Sequence, residues 1–118
     1  MVKPWDNANC YGYAVDINRW FVFDDAYEYA VDELLEKNPS WKLVSRQEMF
    51  LGKSYVAFRF GYHDFHFMFR DHRGHWTHKQ GGQIVRPISQ KEVFASKWLN
   101  PGGALYTSKV YLFEVPNR

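Results

Sequence analysis

Apolar residues recur at two different spacings along this chain. Before Pro39 they come back every three or four positions, and after it every second position. Asn9 suits the N-cap of a short helix beginning at Cys10, since its side-chain oxygen can accept from the free N–H groups of the first turn. Cys10, Ala14 and Ile17 then share one face. Gly12 weakens such a helix but admits a close neighbour. A second helix is predicted over 25–37. Asp25 and Glu28 resemble a capping box, and Ala26, Ala30 and Leu34 form an apolar stripe with Tyr27, Val31 and Leu35 beside it. Asp32, Glu33 and Glu36 face water, and Asn38-Pro39 ends the helix.

The remainder reads as β. Strands are predicted over 41–46, 54–60, 64–70, 75–79, 83–86 and 105–115. Over 64–70 the alternation is clean: Phe65, Phe67 and Phe69 point one way, and Asp64, His66, Met68 and Arg70 the other. His72-Arg73-Gly74 suits a three-residue hairpin loop with Gly74 in the left-handed region. Gly81-Gly82 and Asn100-Pro101-Gly102-Gly103 are further turns. Two helices followed by a meandering antiparallel sheet give a single domain over 1–118 of the α+β class.

Composition changes this picture little. The 118 residues suffice for one core, and 46% hydrophobic with 24% charged residues is ordinary for a globular domain. Aromatic residues are abundant at 19%, enough ring area for a dense core and the walls of a cleft. A net charge of +2 exerts no strong pull on nucleic acid or anionic membrane, so neither is expected as a partner. No run approaches the ~20 apolar residues of a membrane helix, and the first residues lack an apolar signal stretch. The expectation is a chain that stays in the cytoplasm, is secreted by a signal-independent route, or is a piece of something longer. Arg59, Arg70, Arg73, Lys79 and Arg86 lend the sheet a basic tint, which is ordinarily a solvated face and otherwise suits a carboxylated substrate.

The chemistry centres on the single cysteine. One Cys rules out an internal disulfide, and a lone Cys with several His elsewhere is a candidate nucleophile. At a helix start the backbone N–H groups stabilise thiolate, which predicts a pKa below the ~8.5 of free cysteine. The N–H of Cys10 is also a natural oxyanion donor. The base comes from the hairpin. His66 and His78 are separated by an even number of residues across an odd loop, so both lie on one sheet face. In this register His78 pairs with Met68 and is diagonal to His66, roughly 7–8 Å away at Cα.

Asn9-Cys10-Tyr11-Gly12-Tyr13-Ala14 resembles the Asp-Cys-Ser-Gly segment that opens the catalytic helix of NlpC-type cell-wall peptidases. His66-Phe67-Met68-Phe69, the Gly74 turn and Trp76-Thr77-His78 resemble their catalytic-His strand and the strand after it. The segments 64–67 and 76–79 are also similar to a group of small papain-like proteins with an Asn-Cys-Tyr start. Asn9 stands where the family has Asp, Tyr11 where it has Ser, and the Gly-Asp segment before the His strand is absent. The resemblance implies a papain-like, NlpC-like fold and a Cys10–His66–His78 triad hydrolysing amide bonds through an acyl-enzyme. Its substrate would be a peptide or a peptidoglycan-like amide, with no cofactor. Asn9, Tyr11 and Trp76 are the candidates for the oxyanion hole and cleft.

Three other readings stand beside this one. Cys10 as a buried small hydrophobe is the plainest. His63, His66, His72, His75 and His78 fall within a short span, and zinc takes such ligands, although no acidic set or second Cys has typical spacing. The third is a catalytically inactive papain-like module that binds through its aromatic face.

Overall fold

The computed structural model describes residues 5–62, 64–100 and 103–118. Its helices are α1 (Cys10–Val15), α2 (Ala30–Lys37) and α3 (Gln90–Val93). Its strands are β1 (Lys42–Val44), β2 (Ser54–Phe60), β3 (Phe65–Arg70), β4 (Trp76–Lys79), β5 (Val85–Pro87), β6 (Trp98–Leu99), β7 (Leu105–Tyr106) and β8 (Tyr111–Val115). Six of them form an antiparallel sheet in the order β1-β8-β2-β3-β4-β5, and β6 pairs with β7 as a separate hairpin. The mixed helix-and-sheet class expected from the sequence is therefore present.

The centre of the main sheet, β2 and β3, is buried on both faces, whereas the outer strands β1 and β5 are largely exposed. On one side Val56, Phe58, Phe65, Phe67, Phe69 and Phe113 pack against Tyr11, Ala14, Ala30 and Leu34 from α1 and α2. On the other, Tyr55, Ala57, Met68, Trp76 and Leu112 pack against Val93, Trp98 and Tyr106 from α3 and the β6–β7 hairpin. The alternation read along 64–70 thus sorts side chains between two apolar layers, and every residue of β3 is buried.

The hairpin between β3 and β4 follows expectation. Gly74 has φ +92°, its N–H donates to Asp71 O at 3.0 Å, and Met68 pairs with His78. The helix predicted over 25–37 is shorter. Residues Tyr27–Tyr29 form a 3-10 turn, and α2 begins at Ala30 with no side-chain cap. The Asp25–Glu28 box does not form because the rings of Phe23 and Tyr27 both dip onto Phe65, at 4.9 and 5.5 Å between centroids. Glu33 accepts the Asp24 N–H instead. The strand predicted over 105–115 divides into β7 and β8. Between them Ser108 bonds to both the N–H and the C=O of Phe60, at 2.8 and 3.0 Å, as the chain passes from the hairpin into the sheet. The strand predicted over 41–46 stops at Val44, where Ser45 and Glu48 cap a 3-10 turn. In the turn at 100–103, the Gly103 N–H reaches Asn100 O, while Pro101 and Gly102 lie outside the described residues.

Candidate functional site

Asn9 starts α1 as expected. Its backbone is extended, and its Oδ1 accepts from the N–H groups of Gly12 at 3.0 Å and Phe21 at 3.2 Å. Its Nδ2 donates to Phe21 O at 2.6 Å. Asn9 therefore holds the helix start to the returning loop. That return passes so near Gly12 that a Cβ there would collide with the carbonyl oxygens of Arg19 and Ile17. Tyr13 Oη and Thr77 Oγ1, 2.6 Å apart, tie the same helix to β4.

Cys10 and His66 open onto one cavity of about 330 Å³ at the end of the sheet, together with Asn9, Tyr27, Asp64, Gln80 and Tyr106. Among the hydrogen bonds of the described residues, none joins Cys10 Sγ to His66. His66 Nε2 lies 2.9 Å from His78 Nδ1, with the two rings nearly perpendicular at 87°. Trp98 stacks on His66 at 4.9 Å between centroids, and Tyr106 lies beside it.

The electrostatics differ from the sequence expectation. Cys10 is only 5% exposed, and burial pushes its thiol up to about 12. The N–H groups of Phe67, Tyr11 and Cys10 work against that shift, and the Asp64 carboxylate adds to it. The predicted depression of the thiol pKa is thus corrected: desolvation outweighs the helix end, because α1 has six residues and the adjacent imidazole is neutral. Burial, then His78, then Arg59 hold the His66 imidazolium down to about 3. His78 is also lowered, chiefly by burial.

Two cleft candidates sit elsewhere. The Tyr11 ring is buried among Phe21, Phe23, Phe65 and Phe67, so only its backbone N–H faces the sulfur. Trp76 packs edge-on against Phe94 and donates to Gln90 Oε1 at 3.3 Å, away from the cavity. The histidine cluster also separates. His72 and His75 are exposed in the turn, His75 lies 3.7 Å from Asp71, and His63 lies outside the described residues. Among the described residues, no three His, Cys, Asp or Glu side chains gather in a way that would hold a metal ion.

Sequence reasoning did not bring Arg59, Trp98 and Tyr106 to the histidines, and it read Arg59 only as part of a basic tint. Arg59 is fully buried opposite His66 in the β2–β3 register. Its guanidinium donates to the carbonyls of Val93, Ala95, Ser96, Tyr106 and Ser108 at 2.9–3.3 Å. That grip fixes the segment carrying Trp98 and Tyr106 against the histidines. The available signals were a charged residue inside the apolar run Val56-Ala57-Phe58-Arg59-Phe60, and two aromatic residues flanking the turn at 100–103.

No family model matches the chain, and no curated protein or solved structure is significantly similar to it. No helix among the described residues is long and apolar enough to cross a membrane.

Proposed function

We propose that this chain is a papain-like, NlpC-like cysteine hydrolase of amide bonds, with Cys10 as nucleophile, His66 as base and His78 as the group that orients it. The observation carrying this reading is that Cys10, at the start of α1, and His66 face one cavity while His66 Nε2 is bonded to His78. With Nε2 carrying the proton and donating to His78 Nδ1, the lone pair of His66 Nδ1 is left for the thiol. The pair rests as neutral thiol and neutral imidazole, so deprotonation accompanies attack and does not precede it. Sulfur bonds to the amide carbon as His66 takes the S–H proton. The backbone N–H groups near the sulfur stabilise the oxyanion. His66 then returns the proton to the departing amine, leaving a thioester. Water attacks the thioester with His66 again accepting a proton, which releases a carboxylic acid and the free thiol. The substrate class is a peptide or peptidoglycan-like amide.

A second reading, the inactive binding module, is favoured by one observation: the buried thiol is pushed up to about 12. A peptidyl vinyl sulfone separates the two. Under the hydrolase reading it adds to Cys10, identified by peptide mass, and labelling slows by about 10²-fold or more in His66→Ala, the usual size of a general-base contribution. Equal labelling of wild type and His66→Ala overturns the hydrolase reading.

A further inference from the structure

We propose that the cavity selects amide substrates carrying a positive charge beside the bond attacked, a primary ammonium or a guanidinium, and that Asp64 receives it. This rests on the hydrolase reading and adds the substrate class. Asp64 is the one formally charged side chain, among the described residues, that lines the cavity shared by Cys10 and His66. Its carboxylate is fixed in place: Tyr106 Oη donates to Oδ2 at 2.9 Å and the Phe65 N–H to Oδ1 at 2.8 Å. A carboxylate has about four lone-pair sites, so each oxygen keeps one for a ligand.

None of the five cations that suggested a carboxylated substrate lines this cavity. Arg59 is spent on five carbonyls behind His66. Lys79 donates to Gly81 O at 2.8 Å and lines a neighbouring cavity with Trp5 and Ile84. Arg70, at the far end of β3, reaches Phe50 O. Trp20, Tyr27 and Tyr106 line the same cavity as Asp64, and aromatic faces attract cations. Selection also couples to reactivity. The Asp64 charge opposes ionisation of Cys10, so a bound cation that neutralises it eases loss of the thiol proton.

The test uses three methanethiosulfonates on the intact protein: cationic (aminoethyl), anionic (sulfonatoethyl) and neutral (methyl). In each, the Cys10 thiolate attacks the sulfenyl sulfur, a mixed disulfide forms and methanesulfinate leaves. Each rate is divided by that reagent's rate with a small free thiol. The cationic reagent is expected to outpace the anionic one by about tenfold, and the ratio to fall within about twofold of unity in Asp64→Asn. The substitution also alters the resting thiol's ionisation, but that scales all three rates alike, so the ratio reads what reagent charge does at Asp64, recognition and eased ionisation together. A wild-type ratio near one, or a preference surviving in Asp64→Asn, overturns the proposal. If Cys10 resists all three reagents, the hydrolase reading fails, and charge recognition is then read from NMR. Alaninamide should shift the Tyr106 ring signals saturably in wild type and not in Asp64→Asn, while neutral N-acetylalaninamide should not. Equal responses to the two, or none, overturn it.

Discussion

His66 Nε2 lies 2.9 Å from His78 Nδ1, and the bond joins adjacent strands beneath the stacked ring of Trp98. One of the two nitrogens carries the proton and the other accepts it, so the pair is satisfied only while at least one ring is neutral. Charging both rings within this layer would set two cations together and leave the bond without an acceptor.

Acid should therefore destabilise the fold through this pair. The His66 imidazolium is held down to about 3 against an ordinary 6.5, so the unfolded chain binds the extra proton first. The resulting stability is fully present above about pH 6.5 and is lost as pH falls toward 3. The thermal midpoint should drop across that window, and less steeply in His66→Gln. The lowered His78 acts in the same direction. Parallel curves for wild type and His66→Gln would mean that His66 titrates normally.

Cys10 acts at the opposite end of the scale. Its folded-state thiol stands at about 12 against an ordinary 9.0. Below pH 9 both states are protonated and nothing is lost. Between about 9 and 12 the unfolded chain releases its proton first, so stability declines. Cys10→Ala should remove that decline while giving up some packing at neutral pH. Iodoacetamide should modify the folded protein slowly at pH 7, and faster in Asp64→Asn, where a charge opposing thiolate is gone. A midpoint for alkylation below that of free cysteine would contradict this account.

Arg59 should be the most costly polar residue to replace. Arg59→Met leaves five carbonyls without their donor, and the expected loss is more than about 3 kcal/mol in urea unfolding. Arg59→Lys keeps the charge but cannot span carbonyls from five residues, so it should recover only part of that loss. Since the grip positions Trp98 and Tyr106, the His66 ring signals should shift in both variants.

The sequence by itself determined the elements whose signals are local. The Asn9 cap needs only a side-chain oxygen one turn from a free N–H, and the loop His72-Arg73-Gly74 needs only a glycine free to take positive φ. Alternation along 64–70, together with that loop length, set the pairing of Met68 with His78 and so brought His66 beside His78. Tertiary structure decided everything that depends on solvent exclusion and on chain segments distant in sequence. The shortening of the helix over 25–37 came from Phe23 and Tyr27 packing on a strand some forty residues later. The thiol's resting protonation was set by burial, a property of the assembled layers, against which a six-residue helix has little effect. Tyr11 was drawn from the cavity by Phe21, Phe23, Phe65 and Phe67, and Trp76 by Phe94 and Gln90. The arrival of Trp98 and Tyr106 around the histidines depended on Arg59 binding carbonyls that no pattern along the chain places near it.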